Sequence, residues 1–111
     1  MDSEVRILQL GTGIRVPCLL AGDASAKPLL LLHAWGESRR SFDRLIPLLA
    51  GFRIVAPDLR GHGEADKPRD GYALEDQAED VAAIFDALQL VGTAVTAVVS
   101  APQRRGSRGL S

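Results

Sequence analysis

One cysteine, one tryptophan, one tyrosine and one methionine are all that this 111-residue chain holds of those four types, and aromatic residues make up only 5%. A single Cys18 cannot close an internal disulfide, so the fold must rest on packing, which suits a reducing compartment. Its place in an apolar stretch predicts a small buried packing residue. No apolar run approaches the ~20 residues of a membrane helix. Met1-Asp2-Ser3-Glu4 is acidic where a signal peptide is basic. A cytoplasmic protein without a membrane partner is the expectation. Charge of either sign is also missing in excess: the net value is −1, which gives no electrostatic reason to expect nucleic acid. The length suits one domain of ordinary size.

What is present centres on two short apolar runs that stop abruptly. Pro28-Leu29-Leu30-Leu31-Leu32 ends at His33-Ala34-Trp35-Gly36, and Ile54-Val55-Ala56-Pro57 ends at Asp58-Leu59-Arg60-Gly61-His62-Gly63. Runs of this length without polar alternation read as strands buried on both faces. Ligands gather at the carboxyl ends of such strands, which directs attention to loops 33–40 and 58–70.

Around them the chain reads in order. Val5 to Leu10 and Ile14 to Ala21 are strands joined by Gly11-Thr12-Gly13. That glycine pair lacks the third glycine and the helix of a nucleotide-binding turn, so a hairpin is the reading. Ser41 is placed to cap a helix carrying Phe42, Leu45, Ile46, Leu48 and Leu49, with a kink or early stop at Pro47 and an end at Gly51. A fourth strand covers 53–56, and a charged loop follows from Gly61 to Gly71. From about Glu75 to Leu88, Val81, Ile84, Phe85 and Leu88 make one apolar stripe, with acidic residues toward the N-terminal half. Gly92 closes this second helix, and Thr93 to Val99 forms a fifth strand. Beyond it, 100–111 holds Pro102, Arg104, Arg105 and Arg108 with almost no apolar residue, and a disordered tail is expected. Three arginines on a flexible end could attract nucleic acid, but such charges are ordinarily only solvated.

This order resembles the first half of an α/β-hydrolase, over about Val5 to Val99. The residues that carry the resemblance are Leu32-His33-Ala34-Trp35-Gly36-Glu37-Ser38, Asp58-Leu59-Arg60-Gly61-His62-Gly63-Glu64-Ala65, and Ala78-Glu79-Asp80-Val81 within a second family helix. The wording is nearest to bacterial esterase, epoxide-hydrolase and dehalogenase types. Ala34 stands where many members have glycine, and Ala65 where many have serine. The resemblance implies an α/β fold of a β-hairpin followed by β-α-β-α-β, with a mostly parallel sheet of about five strands and two main helices. It implies small-molecule substrates with an ester, epoxide or carbon–halogen bond, and no cofactor or metal.

Acyl transfer builds negative charge on a carbonyl oxygen, and backbone N–H groups aimed at that position stabilise it by several kcal/mol. By resemblance, the Trp35 backbone N–H is such a donor. A Trp35 side chain packed on Phe42 is compatible with that role. His33 is then a loop-shaping residue rather than a base, because the family's base comes late in the chain. Ala34, Gly36, Asp58, Arg60, Gly61 and Gly63 also shape the loops. An Asp58–Arg60 ion pair is expected to brace the second loop, and Gly61 and Gly63 to adopt angles closed to other residues. His62 is expected to be exposed or hydrogen-bonded locally, without further ligands for a metal.

The family's fifth strand runs into Gly-x-nucleophile-x-Gly, a sharp turn that exposes the attacking side chain. Here Ser100-Ala101-Pro102-Gln103-Arg104 occupies that place. Proline at the central position offers no nucleophile. Gly106-Ser107-Arg108-Gly109 is one residue short of the motif and does not follow a buried strand. No acid or histidine follows either. The expectation is a partial domain over 1–99, cut before the nucleophile by a shifted frame or an early end, and inactive alone. A non-catalytic interaction module and one half of a split hydrolase are the alternatives. The open edge at 95–99 would favour self-association, and uncovered sheet faces would leave apolar patches and marginal stability.

Overall fold

A computed structural model describes residues 2–100. Five strands form one sheet: β1 (Ser3–Gln9), β2 (Arg15–Ala21), β3 (Lys27–Leu32), β4 (Phe52–Pro57) and β5 (Thr96–Val99), in the spatial order β1-β2-β4-β3-β5. The first two pair as an antiparallel hairpin, and β2 is also antiparallel to β4. Only β4, β3 and β5 run parallel. The sheet is therefore mixed, not mostly parallel. A two-strand hairpin ahead of the parallel unit accounts for the difference, since a short turn can only reverse the chain. The expected disordered tail lies, past Ser100, outside the described residues.

The apolar runs are buried on two sides in alternation. Leu30 and Val55 face one core with Val16, Cys18, Ile84, Leu88 and Leu90. Leu29, Leu31, Ile54 and Ala56 face another with Phe42 and Ile46. Truncating Leu31, which has no exposed surface, to alanine would cost about 2–5 kcal/mol. Cys18 is buried in the first core, and desolvation pushes its thiol up to about 12, making it inert packing.

Among the described residues one α-helix, not two, crosses the sheet. Helix α1 spans Leu74–Ala87, and the Asp76 carboxylate accepts the Ala73 N–H at 3.0 Å to close its first turn. Where a first helix is expected, the chain makes two 3-10 turns, Arg39–Phe42 and Ile46–Leu48. Their bonds span three residues: Asp43 N–H to Arg40 C=O, Leu45 to Phe42 and Leu49 to Ile46. Pro47 has no N–H to give, and its ring would strike the carbonyl four residues back in an α-helix. The capping serine is Ser38, whose Oγ accepts the Arg40 N–H, rather than Ser41. Apolar residues spaced for a helix still reach the core from these tighter turns, as Phe42 and Ile46 do. Residue 93 precedes β5 in a turn, its N–H on Leu90 C=O.

β3 lies between β4 and β5, so the chain leaves it in one direction and returns on its other side. The carboxyl ends of all three parallel strands meet at one border of the sheet. Reversals of this kind leave a crevice where the loops diverge.

Candidate active site

At that border, loop 33–38 leaves β3 and loop 58–66 leaves β4. The first begins with a β-turn in which the Glu37 N–H returns to Ala34 C=O at 3.0 Å. Gly36, third in the turn, has φ +84°, a left-handed value that glycine adopts without strain. The second residue of such a turn has no acceptor for its N–H within the turn. That residue is Trp35. Its neighbours are satisfied: Ala34 N–H bonds Ser100 Oγ at 2.9 Å, and Gly36 N–H bonds His62 Nε2 at 2.8 Å. Among the described residues, the Trp35 N–H makes no hydrogen bond.

Two histidines lace the loops together. His33, from the first loop, accepts the Leu59 N–H at Nε2, 2.9 Å away. His62, from the second, accepts the Gly36 N–H. In each ring the other nitrogen, Nδ1, lies 2.9 Å from a carbonyl, Ala34 for His33 and Arg60 for His62. An accepting Nε2 places the proton on Nδ1, which donates to that carbonyl. Both nitrogens of both rings are thus committed to backbone. Burial holds the His33 imidazole below its ordinary pKa. His62 is buried, not exposed, and bonds across the loops as well as locally.

Asp58 and Arg60 do not pair with each other. Asp58, wholly buried, receives the Arg39 guanidinium, the Arg39 N–H at 2.8 Å and the Glu64 N–H at 2.9 Å. Arg60 turns to the opposite side and grips Asp80 with Nε at 2.7 Å and a second nitrogen at 2.9 Å. It also donates to Gly71 C=O at 2.8 Å. Bonding to Asp80 raises the Arg60 pKa further. In a strand two residues this far apart would share a face, but β4 ends at Pro57 and the chain turns here, the His62 N–H reaching Leu59 C=O at 2.9 Å, so each finds its own partner. Thr12 Oγ adds a bond to Asp80 at 2.7 Å, tying the hairpin turn to α1. Gly61 and Gly63 have φ +80° and +54°, and a Cβ on Gly63 would lie 2.4 Å from the Asp58 carboxyl carbon.

Arg39 goes unseen in the sequence reading, and Glu64 and Asp80 stand there only as parts of the two stretches that carry the resemblance, without their pairings. Asp80 leaves a trace there, because it falls four residues before Ile84 on the buried stripe of α1. A charge on that face demands a partner. Arg39 leaves none beyond being one of two adjacent arginines.

Trp35 does not pack on Phe42, which belongs to the core under the 3-10 turns. Trp35 is 68% exposed as a residue, and its indole stands nearly perpendicular to the rings of His62 (centroids 4.7 Å apart) and Tyr72 (6.0 Å). Trp35, Gly36, Glu37, Gly61, His62, Gly63 and Tyr72 line an open cleft of about 480 Å³. Ser100 closes one side of the turn. Its N–H continues the strand onto Leu32 C=O at 3.0 Å, and its hydroxyl donates to Glu37 Oε1 at 3.1 Å. Ser41 donates to the same oxygen at 2.9 Å.

A parallel unit preceded by an antiparallel hairpin, with a His-x-Trp-Gly turn and an Asp-x-Arg-Gly-x-Gly loop at one border, defines a class. Residues 27–96 match the model of the alpha/beta hydrolase fold, and the chain belongs to that family. Among its relatives, a soluble epoxide hydrolase of Corynebacterium sp. is 43% identical over 62% of this chain and 24% of its own length. Lipase 1 of Psychrobacter immobilis is 36% identical over 60% of this chain and 21% of its own. The solved structure of a haloalkane dehalogenase from Agrobacterium tumefaciens superposes with a TM-score of 0.79 at 31% identity, covering 89% of this chain and 33% of that one. The chain thus spans between a fifth and a quarter of the length of these two curated relatives.

Proposed function

We propose that this chain is the oxyanion-loop portion of an α/β-hydrolase acting on an ester, epoxide or carbon–halogen bond, and that by itself it turns over none of them. The observation that carries the reading is the Trp35 N–H, left unbonded while the groups on either side of it are held. A fixed donor of this kind contributes about 3 kcal/mol to an oxyanion transition state. In this reading His33, Ala34, Gly36, Asp58, Arg60, Gly61 and Gly63 shape the two loops and touch no substrate. What the reading lacks is an attacking atom with a base. Ser100 is the candidate nearest the turn, and its hydroxyl proton goes to Glu37 rather than to an imidazole. In the sequence, Pro102 aligns with the nucleophile position of the family's motif.

Purified chain offered p-nitrophenyl acetate should release p-nitrophenol no faster than buffer. Turnover abolished both by a serine-directed inhibitor and by Ser100→Ala would overturn the reading and make Ser100 and Glu37 the reacting pair. The reading carries a cytoplasmic location with it, supported by the lone buried Cys18; cell fractionation checks that.

A second reading is favoured by β5, which among the described residues pairs only with β3 at the end of the sheet and is exposed at all four residues. Such an edge suits self-association or docking of a separately encoded half. Activity that appears only on co-expression with the downstream coding sequence would support the split form.

A further inference from the structure

We propose that β1 is an interaction edge that pairs, antiparallel and about a two-fold axis, with β1 of a second copy of this chain. β1 ends the sheet, and among the described residues its one neighbouring strand is β2. The direction of its backbone groups is fixed at both ends of that ladder. Gly22 N–H donates to Asp2 C=O at 3.2 Å, and Leu10 N–H to Ile14 C=O at 2.9 Å. Both pairs continue the register in which Ser3 faces Ala21 and Gln9 faces Arg15. Hydrogen-bonded pairs alternate along an antiparallel ladder, so Glu4, Arg6 and Leu8 turn their N–H and C=O toward β2. Ser3, Val5, Ile7 and Gln9 turn theirs outward, where another strand can take them. Ser100 continues from β5 at the other end of the sheet, with β3, β4 and β2 between it and this edge.

Side chains choose the occupant and the register. Two copies of β1 related by a two-fold axis must bond through these outward positions. Axes that keep most of the strand paired pass through Glu4, Val5, Arg6 or Ile7. Through Glu4 or Arg6, a charge faces its own copy, which is destabilising. Through Ile7, Arg6 faces Leu8 and gains no opposite charge. Through Val5, Glu4 of each copy faces Arg6 of the other, Val5 faces Val5 and Ser3 faces Ile7. The Glu4 and Arg6 side chains are 59% and 52% exposed and lie 3.1 Å apart on one face of the strand. In that register the seam carries carboxylates and guanidiniums in alternation. Val5 and Ile7, 47% and 57% exposed, lie on the other face, and pairing there covers apolar surface that one chain leaves open. A uniformly acidic or basic partner would match one of the two charges and oppose the other, whereas a second copy satisfies both. The axis stands normal to the sheet at the seam, so the two candidate sites open at opposite borders, away from it. The pairing does not depend on the hydrolase reading.

Sedimentation velocity on the full chain carrying Val99→Lys, which blunts β5, reads this edge by itself. A dimer in the micromolar range is expected. Glu4→Arg and Arg6→Glu, each added to that chain, should weaken the dimer at least about tenfold. An equimolar mixture of these two variants should recover it, because each then offers the charge that the other opposes. Circular dichroism checks that every variant is folded. Amide exchange by NMR reads the register: Ser3, Val5 and Ile7 should gain protection as concentration rises, and Gln9 should not. A monomer at millimolar concentration, a dimer indifferent to both charge reversals, or a mixture that stays monomeric overturns the proposal. Protection of Gln9 in place of Ser3 overturns it as well. None of these results alters what the esterase assay reads at the other border of the molecule.

Discussion

The carboxyl ends of β3 and β4 and the outer side of β5 are neighbours in one sheet, yet they are built on opposite terms. At the first, each loop is held by the other: His33 takes Leu59, His62 takes Gly36, and Asp58 gathers Arg39 and Glu64. At the second, β5 has, among the described residues, one strand beside it and no residue buried. The contrast separates a place where positions are fixed from a place where a surface is left to be covered. A donor aimed at a developing charge works only if it does not move, and in the proposed role of the Trp35 N–H the laced loops would supply that stillness.

The most severe way to break the contrast is to unpair the buried charges. Asp58→Ala leaves the Arg39 guanidinium, 9% exposed, without its main partner, and should destabilise the chain by about 3–5 kcal/mol in urea unfolding. Next comes the close approach at Gly63. Alanine there would set a Cβ 2.4 Å from Asp58 and should cost about 1–3 kcal/mol. Gly11→Ala, with no atom within 4 Å of the added carbon, should change stability by less than about 0.5 kcal/mol.

The histidine lacing sharpens the comparison through pH. Burial lowers the His33 pKa from its ordinary 6.5, so the unfolded chain binds this proton more readily than the folded one. Stability from this group is complete above the unfolded value and is lost as pH falls below it toward the folded one. Urea midpoints should fall from about pH 7.5 to about pH 5.5, and the slope should flatten in His33→Gln. Smallest on stability is β5. Val99→Lys, at a position 65% exposed, should shift stability by no more than about 0.5 kcal/mol while reducing self-association in sedimentation velocity.

The same contrast explains what was legible in the sequence. β3 and β4 announce themselves because leucine and valine runs buried on both faces need no partner to be recognised, and α1 because Val81, Ile84 and Leu88 keep one period. The loops after those strands are legible as turns through their glycines. Their fastening is not, because it joins residues far apart: Arg39 to Asp58, Arg60 to Asp80, His62 to Gly36. Asp58 and Arg60 sit two apart and invite a pairing, but the chain turns past the end of β4 and each is taken by a distant partner. The apolar spacing of 42–49 suits an α-helix and a 3-10 turn alike, and Pro47 decides between them only through a bond it cannot make.

Backbone amide hydrogen exchange across 34–37, resolved residue by residue by NMR, tests the central claim most directly. An unbonded Trp35 amide flanked by protected Ala34, Gly36 and Glu37 is the predicted pattern. Protection of Trp35 equal to that of its neighbours would mean that the donor is already spent within the fold, and the case for an oxyanion loop would be lost.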